Sequence, residues 1–143
     1  MSYQSFRDMI VWQQSYDFAK GVHALTRSLP AEERFGIASQ LSRAAMAMPA
    51  RVAEGQRRRG KEFAKLLHYA QGDAAECETY LLLIQDLFPD KAKEASQLRE
   101  QSAVIQNMMG ALSYSIEHPK NKDSERSVQG VVSKEPVCVP VNA

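Results

Sequence analysis

At 143 residues, with 44% apolar and 24% charged side chains, the chain is sized for one domain with a real core, and its composition excludes general disorder. A formal net charge of +1 excludes a global attraction for nucleic acid, so any such attraction must come from a local patch. Two cysteines (Cys77 and Cys138) make no disulfide framework, no apolar run is long enough for a membrane span, and the polar N-terminus lacks a signal-peptide core; a reducing, cytoplasmic setting is the expectation.

From Met9 the apolar positions fall at helical spacing, with Trp12, Tyr16, Ala19, Val22 and Leu25 or Thr26 as the expected stripe. Leu29-Pro30 ends this helix, because the residue before a proline is pushed out of the α region. His23, near the stripe, reads as a boundary histidine rather than a ligand. Pro30-Ala31-Glu32-Glu33 suits the start of a second helix, with proline in the first turn and carboxylates at the positive end. Its apolar set is Phe35, Ile37, Leu41, Ala44, Ala45, Met48 and Val52. Pro49, inside that set, predicts a kink or a locally opened turn, and Gly55 or Gly60 the helix end.

The third helix is expected from about Gly60 to Phe88, on a stripe of Phe63, Leu66, Leu67, Ala70, Ala74, Cys77, Leu81, Ile84 and Phe88. Gly72 in mid-helix costs roughly 1 kcal/mol relative to Ala, which predicts tight packing there against the small residues of helix two. A fourth helix, Lys91 to Glu117, repeats Ala95, Leu98, Ser102, Ile105, Met109, Leu112 and Ile116 in a bundle-type seam, until His118-Pro119 stops it. Residues 119–143 have no helical period and are expected to form a disordered tail, whose valines could add a strand to a partner. The fold expected for residues 1–118 is an all-α, antiparallel up-and-down four-helix bundle.

Charge is distributed less evenly than the total suggests. Residues 51–65 hold Arg51, Arg57, Arg58, Arg59, Lys61 and Lys65 against Glu54 and Glu62. Residues 73–90 hold Asp73, Glu76, Glu78, Asp86 and Asp90 with no Lys or Arg. The basic set is the candidate phosphate-binding surface, and its bland rival is a solvated turn whose arginines balance the negative end of helix two. The opposed patches could also pair between copies.

Motifs for chemistry are lacking. None of His23, His68 and His118 has the glutamate three residues earlier that a bundle di-metal site uses, and no phosphate loop or haem motif is present. Cys77, on an apolar stripe, reads as a buried inert thiol. Glu54 and Glu76 are a conceivable acid–base pair, but a local pairing of Glu54 with an arginine is the stronger reading. No metal or cofactor is expected and the chain reads as a non-enzyme.

The residues do suggest a family. Phe6-Arg7-Asp8-Met9-Ile10-Val11-Trp12-Gln13, Gln40-Leu41-Ser42-Arg43-Ala44-Ala45, Pro49-Ala50-Arg51-Val52-Ala53-Glu54-Gly55 and Ala70-Gln71-Gly72-Asp73 resemble the four-helix-bundle proteins associated with intervening sequences of bacterial 23S ribosomal RNA genes. In that resemblance Pro49, Ala53, Glu54 and Gly55 are a structural signature. Arg51 stands where the family usually has Asn, and Asp73 where it usually has Ser. The resemblance implies a homopentameric ring and a relation to the accessory proteins of diversity-generating retroelements. Those bind nucleic acid and a reverse transcriptase through a basic surface, and the family has no established enzymatic activity. The expectation is a scaffold that binds RNA or DNA through the basic set, with a purely structural self-assembling protein or protein-partner adaptor as the alternative.

Overall fold

Four stretches of three-and-four apolar spacing become four helices in the structure, a computed structural model that describes residues 5–120. They are α1 (Ile10–Arg27), α2 (Ile37–Arg58), α3 (Gly60–Leu87) and α4 (Ala92–Glu117), with single 3-10 turns at Phe6–Asp8, Ala31–Glu33 and Pro89–Lys91. Short links force sequential helices to run antiparallel, and α3 packs most extensively, against both α2 and α4. Among the described residues there is no strand, and no helix is long and apolar enough to cross a membrane. The expectations for the tail beyond residue 120, Cys138 included, lie outside the described residues.

The core is continuous from end to end. Phe18, Leu41, Met48, Leu67, Leu81, Ile84, Ile105 and Met109 are fully buried in one cluster. The seams expected for α3 and α4 lie on this core except at Leu66, which is half-buried outside the cluster, with Leu112 and Ile116 half-buried at its end.

Four expectations are corrected. The buried stripe of α1 is Val11, Ser15, Phe18, Val22 and Leu25, while Tyr16 is exposed. Ser15 can sit there because its hydroxyl donates to the Val11 carbonyl at 2.7 Å, which removes the cost of burying it. Trp12 and Tyr16 instead stack on each other at 4.8 Å on the flank. The residues after Pro30 form only a 3-10 turn; α2 starts at Ile37, and Phe35 is 87% exposed. Gly72 is exposed, with nothing within 4 Å of an added Cβ, so it is not a close-packing site. Its cost is absorbed because burial elsewhere along α3, not propensity, holds the helix. Finally, of the two glycines expected to end α2, Gly55 lies inside the helix, which runs on through Pro49 to Arg58; Gly60, just past the Arg59 cap at φ 56°, marks the end.

Candidate nucleic-acid interface

The α2–α3 turn is the tightest connection in the bundle, with Arg59 alone between two helices. Its N–H donates to the Gly55 carbonyl at 2.8 Å, and its own carbonyl accepts from the Phe63 N–H at 3.3 Å. Phe63 lies directly over Gly55. A Cβ built at Gly55 would stand 2.6 Å from Phe63 Cδ1 and 3.3 Å from Phe63 Cα. This signature glycine therefore serves close approach, not helix termination.

Arg59 adopts φ 65°, ψ 170°, and Gly60 follows at φ 56°. The first combination is essentially a glycine conformation, costing on the order of 1–3 kcal/mol for other residues. Replacing Arg59 with glycine is expected to stabilise the fold by about 1 kcal/mol, read as a higher midpoint in urea denaturation. An unchanged or lower midpoint would show that the turn holds no such strain.

The six candidate cations separate into two groups. Arg58 lies between Glu54, at 2.9 Å, and Glu62, at 3.9 Å, and so bridges the turn. That fulfils the expected local pairing of Glu54. Arg51 points away from the turn. Its Nε donates to Asp73 Oδ2, and its Nη2 reaches Oδ1 at 3.5 Å. Asp73 is only 8% exposed at its side chain and Arg51 35%. The two departures from the family pattern are thus each other's partners. Arg57, Arg59, Lys61 and Lys65 are exposed and have no carboxylate partner among the described residues.

Local electrostatics explain part of this set and leave part unexplained. Arg57, in the last turn of α2, sits favourably at the helix's negative end. Arg59 and Lys61 instead crowd the positive end of α3, where cations are disfavoured and an anion would be welcome. Lys65 and Arg51 both approach the ring of Tyr69, at 5.9 and 5.5 Å. Tyr69 is 48% exposed, whereas Phe63, the other aromatic of this region, is buried.

The acidic stretch is largely engaged within the chain. Arg43 pairs with Glu76, which also accepts from the Tyr80 hydroxyl at 3.3 Å, and Arg99 approaches Glu78 at 3.9 Å. Asp86 and Asp90 have no ion-pair partner among the described residues. Glu54 and Glu76 do not converge. Glu76 lies beside Arg43, which is roughly 16 Å along α2 from Glu54 at 1.5 Å per residue.

Cys77 is buried, and its thiol is pushed up to about 12, mainly by burial and further by Asp73 and Glu76, with Arg43 opposing. It is a core side chain, not a nucleophile. Among the described residues no group of three or more His, Cys, Asp or Glu could hold a metal ion. His68 instead faces Glu117 across the α3–α4 seam at 3.1 Å, and His118 stacks on Tyr114.

What the sequence did not reveal was which arginines are already paired. A weak signal existed: folding the chain back at Gly60 sets Arg51 opposite Tyr69, one turn from Asp73.

A comparison with curated protein sequences finds no match. A family model, that of the 23S rRNA-intervening sequence protein, matches residues 7–111, which take in all of α1, α2 and α3 and most of α4. With the bundle and the Pro49–Gly55 signature in place, the chain belongs to the 23S rRNA-intervening sequence protein family.

Proposed function

We propose that this protein is a non-enzymatic helical-bundle scaffold that binds nucleic acid through the α2–α3 turn. The supporting observation is the concentration of Arg57, Arg59, Lys61 and Lys65, exposed and without carboxylate partners among the described residues, at one end of the bundle. Two of these crowd a helix N-terminus, where phosphate is stabilised by both the side chains and the free backbone N–H groups. A homopentameric ring would repeat this modest patch and convert it into an avid surface. Arg58 supports the turn and Arg51 ties α2 to α3 farther along the hairpin; neither touches the nucleic acid, because carboxylates already hold them.

Fluorescence anisotropy of labelled RNA and DNA across a salt series tests this. Replacing Arg57, Arg59 and Lys61 with alanine is expected to weaken binding at least about tenfold and to flatten the salt slope by about one unit for each phosphate left without its cation. Arg58→Ala should change neither. Absence of wild-type binding at low salt would overturn the reading and leave self-assembly. That alternative draws on the exposed Leu83 and Leu87, one turn apart on α3, and not on the acidic stretch, whose carboxylates are mostly occupied.

A further inference from the structure

At the opposite end of the bundle, where α1 ends and α2 begins, lies an open groove of about 530 Å³. Its polar lining is His23, Thr26, Arg27, Arg34, Ser39 and Ser42. No carboxylate lines it; Glu32 and Glu33, in the same connection, are not among its walls. Arg27 and Arg34 have no carboxylate partner among the described residues. Two arginines thus line one concavity with no carboxylate among its walls, so an anion there is attracted by both charges.

The backbone adds to the same field. α2 begins at Gly36 with no side-chain cap and no acidic residue in its first turn, so its positive end is uncompensated. Ala38 and Ser39, from that turn, form one wall. The hydroxyls are ordered on the other side: Ser42 Oγ donates to Thr26 Oγ1 at 3.4 Å, and Thr26 Oγ1 donates to the His23 carbonyl at 3.0 Å. The Ser39 hydroxyl has no protein partner among the described residues. Beside the groove the Phe35 ring stands out into solvent, with the Arg34 guanidinium 5.1 Å from its centroid.

We propose that this groove is a phosphate-binding site, with Arg27 and Arg34 as its charged clamps and Ser39 as its neutral donor. Phe35 is outside the groove's walls but next in the chain to Arg34 and exposed, and its ring is the surface on which a base would stack, which favours a phosphate borne by a nucleotide over inorganic phosphate. The groove is separate from the α2–α3 turn. Ser39 and Arg57 are roughly 27 Å apart at 1.5 Å per helical residue, so either site can fail without the other.

The test is an amide NMR titration of the full chain with inorganic phosphate and, separately, adenosine 5′-monophosphate, at ionic strength held constant with chloride. Saturable shifts at Arg34, Ser39 and Ser42 are expected. The Arg27→Ala/Arg34→Ala variant should lose at least about tenfold in affinity, since it removes both of the groove's charges. Its own spectrum reports whether it is folded. In the Arg57→Ala/Arg59→Ala variant the shifts at Arg34, Ser39 and Ser42 should titrate as in wild type, whatever changes at the α2–α3 turn. Tighter binding of the nucleotide, abolished in Phe35→Ala, assigns the site to nucleotides; equal affinity assigns it to the phosphate group alone. Non-saturating shifts in wild type, or shifts that persist in Arg27→Ala/Arg34→Ala, overturn the site, and the wild-type titration decides the matter if that variant does not fold.

Discussion

Alanine at position 51 is expected to cost about 2–3 kcal/mol of folding stability, and alanine at position 73 only about 1 kcal/mol. The asymmetry follows from burial. Arg51→Ala leaves the Asp73 carboxylate, 8% exposed, without the guanidinium that satisfies it. Asp73→Ala leaves a guanidinium that is 35% exposed and still lies on the Tyr69 ring, so water and the ring can take over. Breaking a fully buried pair from one side costs about 3–5 kcal/mol, and the exposure of Arg51 places this pair below that range. The double variant Arg51→Asn/Asp73→Ser, which removes both charges together, should lie close to wild type. Urea denaturation of wild type, Arg51→Ala, Asp73→Ala and Arg51→Ala/Asp73→Ala gives the coupling energy directly. Additive losses, or a costlier Asp73→Ala, would mean that the pair is a surface contact only.

The pair also shows how far the sequence could be read. Helix number, order and the seams of α3 and α4 were legible because each is a long periodic signal in which one misassigned residue changes little. The α1 stripe was not. Val22 and Leu25 were expected and are buried, but before them the buried row is Val11-Ser15-Phe18, one residue ahead of the expected Trp12-Tyr16-Ala19, with a serine at its centre where the expected row has a tyrosine. A hydrophobicity reading favours the tyrosine, whereas a hydroxyl bonded to its own helix decides for the serine. The candidate site divides in the same way. Residue type and spacing pointed to six cations at one turn, and six is correct as a census of charge. Which of them are engaged depends on partners up to 22 residues away across the hairpin, as with Arg51 and Asp73, and no local pattern carries that information. Phe35 misled for another reason: it continues the α2 periodicity backwards, but the chain leaves the helix before reaching it, at Gly36.

Gly55→Ala is expected to destabilise the protein by about 2 kcal/mol, although helix propensity alone would favour the change by about 1 kcal/mol. The sign is decided by contact. An added methyl would meet Phe63 at three atoms, Cδ1, Cε1 and Cα. The ring could swing aside, but the Cα belongs to the first turns of α3 and can retreat only if α2 and α3 separate. Separation would stretch the Arg59 N–H to Gly55 carbonyl bond and loosen the one-residue turn. Shrinking the aromatic partner tests this route. Phe63→Leu alone should cost about 1 kcal/mol, and in the Gly55→Ala background it should cost less than that or become favourable, because the methyl then occupies space that the ring has left. A stabilising Gly55→Ala would show that propensity wins and that this contact does not set the turn. If the contact does set it, loosening should also spread Arg57, Arg59 and Lys61 apart. Nucleic-acid affinity should then fall in Gly55→Ala with all six cations still present, which separates their number from their placement.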